Sequence, residues 1–336
     1  MNVTDRRPLP RADLQLSVLG IGGAQIGGLY RAMSDANAAA IVDAAWQAGI
    51  RYFDTAPFYG FTRSEHRMGN ALRKEARNEF ALSTKVGRMM RPNASVGEFE
   101  QGYCEPLPFR PEYDYRYDAI IRSHEDSLQR LGLPSIDMLY VHDIGSMTHG
   151  ERHAHYWEQL TKGGGFRALE ELRRSGLVKS VGLGVNEWQV VDAAMNEMDL
   201  DCTMLAGRYT LLEQDSLALL NRAAKAGHAI VAAAPFNSGL LVGNGKFNYD
   251  EAPEDVLKRA ETLNALAQQF DVPLPAAAIQ FGLAHPAVVS IVTGTNTPER
   301  IASSVAWFET PVPAEFWQAL ATQGLVAEGT PLPGLN

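Results

Sequence analysis

Three chemically useful side chains stand at the ends of successive apolar runs in this 336-residue chain. Ile50–Phe53 ends in Asp54, Phe80–Thr84 in Lys85, and Ile136–Val141 in His142. A carboxylate, an ammonium and an imidazole brought together can orient one another and move a proton to or from a bound molecule. Charged groups beside an apolar interior are costly unless paired. The later runs also lead to polar groups: Val178–Leu183 reaches Asn186, Thr203–Ala206 leads to Arg208-Tyr209, Ala229–Ala233 to Phe236-Asn237-Ser238, and Val288–Val292 to Gly294. Taken singly, each reads as a loop residue and His142 as a core histidine. Taken jointly, their placement favours a site.

The runs that must position these groups are eight, counting Leu16–Ile21. They are rich in Val, Ile and Leu rather than strictly alternating, as parallel strands buried on both faces are. Helical patterns lie between them, such as Asp35–Ala48, Tyr117–Leu131, Phe166–Ser175, Asp215–Ala226 and Pro253–Gln269. Ser34 or Asp35 can cap the first of these, and Gly49, Gly132, Gly176 and Gly227 mark C-termini. The alternation predicts an α/β fold, a (β/α)8 TIM barrel forming one domain over residues 1–336. An open doubly wound sheet would show the same alternation. In a barrel the strand C-termini share one mouth, and the long segments Gly87–Tyr115, Ile144–Gly165 and Phe236–Pro253 land there.

Composition bounds the partners. The chain is 46% apolar and 21% charged, with a net charge of −9. A nucleic-acid partner needs clustered Lys and Arg to displace counterions, and no such cluster occurs. Cys104 and Cys202 are too few for a disulfide framework or a cysteine zinc site. His149, His153 and His155 lack the company of a metal site and read as a solvated loop. No signal peptide or membrane-length apolar run is present, so the expectation is a cytoplasmic protein acting on a small molecule. Leu19-Gly20-Ile21-Gly22-Gly23-Ala24-Gln25 fails as a dinucleotide fingerprint, because Gln25 stands where the third glycine is needed.

Four segments resemble the aldo-keto reductase family: Asp54-Thr55-Ala56-Pro57-Phe58-Tyr59-Gly60, Ser83-Thr84-Lys85, Asp137-Met138-Leu139-Tyr140-Val141-His142, and Gly182-Leu183-Gly184-Val185-Asn186. The resemblance runs from about Leu16 to Ala306, with Val185 where the family usually has Ser. It implies an oxidoreductase with a catalytic tetrad of Asp54, Tyr59, Lys85 and His142. Tyr59 would exchange a proton with substrate, and the Lys85 ammonium would favour its phenolate. Asp54 would orient Lys85, and His142 would hydrogen-bond the substrate oxygen.

The resemblance also implies NAD or NADP as cofactor. Asn186 would hold the carboxamide and Tyr209 would stack on the nicotinamide. Phe236, Asn237, Ser238 and Gly239 would wrap the pyrophosphate, and Gly294, Thr295, Asn296 and Arg300 the adenosine phosphate. A basic residue common in NADP-preferring members is missing between Gly294 and Thr297, which leaves Arg300 and tilts the expectation toward NAD.

Tyr115–Leu133 and His142-Asp143 are similar to the branch that holds D-threo-aldose 1-dehydrogenases and pyridoxal 4-dehydrogenase. That similarity implies oxidation of a sugar hemiacetal to its lactone, with Arg88, Arg110, Asp114 and His149 as partners for sugar hydroxyls. Pyridoxal oxidation and general carbonyl reduction are the alternatives. A cofactor-sensing regulatory subunit and a Schiff-base aldolase using Lys85 are the readings from other classes.

Overall fold

Strands with no solvent face have no reason to alternate, and the apolar runs here have none. The computed structural model describes residues 1–247 and 250–335. Its strands β1 (Leu19–Gly22), β2 (Tyr52–Asp54), β3 (Ala81–Val86), β4 (Met138–His142), β5 (Ser180–Val185), β6 (Cys202–Ala206), β7 (Ala229–Ala233) and β8 (Val288–Gly294) form a closed barrel in chain order. All neighbouring pairs are parallel, including β8 with β1, which shuts the cylinder. The fold is the (β/α)8 barrel.

Helices follow the strands, among them Asp35–Gln47, Arg63–Leu72, Tyr117–Leu131, Gly165–Arg174 and Glu299–Glu309. Ser34 is the cap of the first: its Oγ accepts from the Asn37 amide at 3.2 Å. Among the described residues no helix is long and apolar enough to cross a membrane.

The apolar residues separate into two cores. The outer one lies between strands and helices. The inner one fills the barrel with Tyr52, Met138, Tyr140, Cys202, Met204, Val231 and Val292, closed below by Leu9 and Leu16. Leu16 belongs to a hairpin, Arg6–Pro8 with Gln15–Ser17, under the N-terminal end of the strands. The run Leu16–Ile21 is therefore not one strand. Ser17 Oγ donates to Leu19 O at 2.7 Å and accepts the Arg51 amide at 3.0 Å, which ends the floor and starts the wall.

The segments expected to be irregular carry structure of their own. Gly87–Tyr115 holds an antiparallel hairpin, Arg88–Pro92 with Phe109–Tyr113, and a smaller one at Phe99–Glu100 and Tyr103–Cys104. Ile144–Gly165 holds short helices at Ser146–His149 and His153–Leu160. Phe236–Pro253 begins with a tight turn at Asn237–Val242, and its residues 248 and 249 lie outside the described residues.

Candidate active site

Strand register brings the charged strand ends together. Asp54 pairs in register with Ser83, and Tyr140 with Lys85, so alternate residues of β2, β3 and β4 share the interior. Lys85 Nζ donates to Asp54 Oδ2 at 2.6 Å and to Thr55 O at 3.0 Å. Ser83 Oγ donates to the other carboxylate oxygen, Oδ1, at 2.7 Å. Tyr59 sits on the turn after β2. Its ring centroid is 4.6 Å from Lys85 Nζ and 5.6 Å from the His142 ring, which meets it edge-on at 87°. The turn needs glycine: Gly60 has φ +63°, and a Cβ there would lie 2.2 Å from Gly27 O.

Burial sets the electrostatics. Asp54 and Lys85 are each 2% exposed. Burial pushes the Asp54 carboxyl above the ordinary carboxylate range, while the Lys85 ammonium and the Ser83 hydroxyl pull it back. Burial lowers His142 well below the ordinary imidazole value, with Arg88 and Lys85 adding to the effect. His142 is accordingly a neutral imidazole at pH 7, able to donate through one nitrogen and accept through the other. Its Nδ1 is buried with no partner in this structure, and its Nε2 is 3.5 Å from Asp143 Oδ2.

Asp143 is a residue that sequence reasoning left without a role. It follows β4 in left-handed conformation at φ +39°, and it accepts from Arg88 Nη2 at 2.6 Å and Asn186 Nδ2 at 3.2 Å. The Arg88 guanidinium lies 4.3 Å from the Phe58 ring centroid and 5.5 Å from that of Tyr113. Aromatic rings thus wall this side of the mouth. His149 is not on a solvated loop: it is 8% exposed, its Nε2 donates at 2.9 Å to the Tyr115 hydroxyl, which itself donates to His142 O, and its ring lies 4.2 Å from that of Tyr156. Among the described residues no group of three His, Cys, Asp or Glu could hold a metal ion.

The cofactor candidates sit on the ends of β5 to β8. Asn186 lines a cavity of about 460 Å³ with Ser146, Met147, Trp188 and Arg208, and its carbonyl accepts Arg208 Nε at 2.7 Å. Ala234, Asn237, Ser238 and Gly239 have positive φ values of 56°, 47°, 58° and 97°. The Asn237 and Gly239 amides donate to Ala234 O and Phe236 O, which closes the chain into a tight turn at the end of β7. Asn237 Oδ1 and Asn296 Oδ1 are buried polar atoms without partners in this structure, so each awaits a donor. Phe236 meets the Trp307 ring edge-on at 5.8 Å. Gly294 pairs in register with Gly22, Thr295 Oγ1 donates to Thr297 O, and Arg300 is exposed in the first turn of Glu299–Glu309. The orphaned amide oxygens and the helix start fit a dinucleotide with its charged phosphates.

Tyr209 is the exception. It is 2% exposed, with its ring 5.2 Å from Phe281 and 5.6 Å from His285. A ring that stacks on a ligand must offer it an open face, and Tyr209 has both faces inside the protein. In this structure Tyr209 packs against Phe281 and His285.

The family model for the aldo/keto reductase family matches residues 18–322. The chain belongs to that family. As an aldo-keto reductase it is an oxidoreductase that uses NAD(P)H. It is 47% identical to a pyridoxal 4-dehydrogenase of Microbacterium luteolum, over 97% of this chain and 99% of that one. It is 40% identical to a D-threo-aldose 1-dehydrogenase of a Pseudomonas species, over 94% and 96% of the two chains. Among solved structures, the holo form of an aldo-keto reductase from Bacillus halodurans superposes with a TM-score of 0.73 at 25% identity, covering 96% and 97% of the chains.

Proposed function

We propose that this aldo-keto reductase is an NAD-linked dehydrogenase of a cyclic hemiacetal, with pyridoxal as its substrate. The observation that carries the reading is the placement of Tyr59 between the Lys85 ammonium, 4.6 Å away, and the His142 ring, 5.6 Å away. A hemiacetal carbon bears one hydroxyl and one hydrogen. Tyr59, as phenolate, accepts the hydroxyl proton, and the Lys85 ammonium stabilises that phenolate. Asp54 fixes Lys85 through the 2.6 Å ion pair. His142, neutral, holds the substrate oxygen in line. Loss of the proton and the hydride leaves the carbon–oxygen double bond of a lactone. When bound, the nicotinamide ring supplies the hydride acceptor at this carbon. Lys85 is poorly placed for a Schiff base, because two of its three donors are committed to Asp54 and Thr55 and its nitrogen is held as a paired ammonium.

Asn186 is the candidate for the carboxamide, Asn237, Ser238 and Gly239 for the pyrophosphate, and Thr295, Asn296 and Arg300 for the adenosine end. NAD is favoured because Arg300 is the only basic side chain between Gly294 and Trp307. Each charge-assisted bond to a 2′-phosphate is worth about 1.5–3 kcal/mol.

Pyridoxal is favoured over an aldose by what surrounds Tyr59. Three side chains expected to meet sugar hydroxyls are engaged elsewhere: Arg88 with Asp143, Asp114 with Arg116, and His149 with Tyr115. Arg110 is exposed on the outer strand of the hairpin. The half-buried rings of Phe58 and Tyr113 suit a flat aromatic substrate better than a sugar. The 47% identity to a pyridoxal 4-dehydrogenase points the same way, and the 40% identity to an aldose dehydrogenase keeps the sugar as second reading.

The test follows reduced-cofactor absorbance with pyridoxal, L-fucose and D-arabinose, each with NAD and with NADP, and identifies the product. Pyridoxal with NAD should give the highest kcat/KM and release a lactone. A higher kcat/KM for either sugar would move the assignment to the aldose. NADPH-linked reduction of simple aldehydes without hemiacetal oxidation would remove both.

A further inference from the structure

The barrel interior is apolar on one side and hydroxylic on the other. Ala229, Val231, Val289 and Val292 line it from β7 and β8. From β2, β3, β4 and β6 come Tyr52, Ser83, Tyr140 and Cys202, all 0% exposed. Their polar atoms are in file: Tyr52 Oη is 3.1 Å from Ser83 Oγ and 3.2 Å from Tyr140 Oη, and Tyr140 Oη is 3.7 Å from Cys202 Sγ and 3.8 Å from Met138 Sδ, a weaker acceptor than the Tyr52 oxygen. Ser83 Oγ ends the file at Asp54 Oδ1, 2.7 Å away.

Proton counting gives the file a direction. An ionised carboxylate only accepts, so Ser83 spends its single proton on Asp54. Ser83 Oγ must then accept from Tyr52, and Tyr52 Oη from Tyr140. Hydrogen bonds arranged head to tail polarise one another in a medium of low dielectric. Here every donor points at the carboxylate oxygen that Lys85 leaves unused. The geometry points to Ser83 and Tyr52 as positioning residues: a one-way chain of hydroxyl donors that keeps Asp54 ionised inside the barrel and its other oxygen turned to Lys85.

The remaining groups near Asp54 do not duplicate this. Lys85, from β3, engages Oδ2. Gly23, after β1, contributes an amide to the Asp54 carbonyl and not to the side chain. Tyr59 and His142 stand beyond Lys85, on the mouth side. Ser83 is thus the donor that Oδ1 has from a side chain, and a buried carboxylate oxygen stripped of its donor favours the protonated acid. The chain also explains a glycine: a Cβ on Gly20 would lie 2.7 Å from Tyr52 Cδ1, so β1 leaves room for the phenol that feeds Ser83.

The effect on turnover rests on the proposed role of the Asp54–Lys85 pair, but the charge state of Asp54 does not, and the test separates them. The full-length protein, carrying aspartate labelled with ¹³C at the carboxyl, is titrated by NMR. The Asp54 resonance is assigned by its loss in Asp54→Asn. In Ser83→Ala the protonation midpoint should rise by roughly 1–2 pH units, the equivalent of one hydrogen bond to a charged group. In Tyr52→Phe it should rise by less, and in Ser83→Thr it should stay within a few tenths of wild type. If wild-type Asp54 stays ionised to the lowest pH at which the barrel is folded, the Ser83→Ala resonance should titrate above that pH. Should Ser83→Ala not fold, Tyr52→Phe, which removes one oxygen, carries the test. Unchanged midpoints in the folded variants overturn the chain. The acid limb of kcat/KM for pyridoxal with NAD should move with the midpoint. A midpoint that moves in a protein inactive toward every hemiacetal would leave the chain standing and overturn the proposed reaction instead.

Discussion

Tyr59 lends itself to a test at a single atom. Its ring is held against His142 and Tyr103 by edge and tilted contacts, so Tyr59→Phe keeps the packing and deletes the oxygen. General acid–base catalysis is worth about 10²–10⁴ in rate. The variant should lose at least about 10²-fold in kcat while cofactor affinity, measured by fluorescence titration, barely changes. Near-wild-type turnover would remove Tyr59 from the mechanism. Lys85→Met removes the ammonium beside that ring, and a phenolate without a neighbouring cation is harder to form. The pH optimum for oxidation should move upward in this variant, and an unchanged profile would show that Lys85 does not tune Tyr59. Asp54, Lys85 and His142 were legible in the sequence because a charge after an apolar run is costly wherever it lacks a purpose. Ser83 was not, since a serine inside a strand carries no such signal. The only hint was its place two residues before Lys85, on the same face.

At the scale of elements, β5 shows how small residues make room for charged ones. Gly182 and Gly184 alternate toward the interior, and a Cβ on Gly184 would stand 3.1 Å from Lys85 Cε and 3.2 Å from Tyr140 Cβ. Lys85 cannot give way freely, being tied to Asp54 and Thr55. Gly184→Ala should therefore displace the ammonium by a few tenths of an ångström and lower kcat by roughly tenfold. Secondary structure by circular dichroism should be unaffected. Loss of folding without a kinetic defect in the folded fraction would show that Gly184 serves packing alone. The strands were readable from the chain because two-sided burial leaves continuous apolar runs. The floor hairpin was not, since Leu16 is as apolar as Leu19 and only the Ser17 hydrogen bonds separate them. The hairpin at Arg88–Pro92 and Phe109–Tyr113 was hidden for another reason: charged residues and prolines interrupt its apolar ones, and most of it is partly or fully exposed. Its register is set by pairing with itself and not by a core.

Histidine burial links the whole molecule to pH. His142 and His124 lie below the ordinary imidazole value, His149 and His285 are lowered to about 4, and His228 to about 3, each chiefly through burial. In the unfolded chain all of them titrate near ~6.5. Below that pH the unfolded state binds protons that the folded state refuses, so stability is present above about 6.5 and falls as the pH falls. His228 is the clearest contributor. It is 1% exposed, with Nε2 2.9 Å from Thr203 Oγ1 between β6 and β7. Once the unfolded imidazole is charged, a histidine kept neutral by the fold costs about 1.4 kcal/mol per pH unit. Asp54, Asp201 and Glu213 work in the opposite sense, because burial raises their carboxyls. Their influence grows toward pH 4, so the histidines decide the outcome just below 6.5. Urea unfolding at constant ionic strength should show the midpoint dropping between pH 7 and 5.5, and the drop should be shallower in His228→Asn. A midpoint that holds or rises over this interval would mean that the buried imidazoles take up their protons without unfolding, and that the interior between β6 and β7 admits charge.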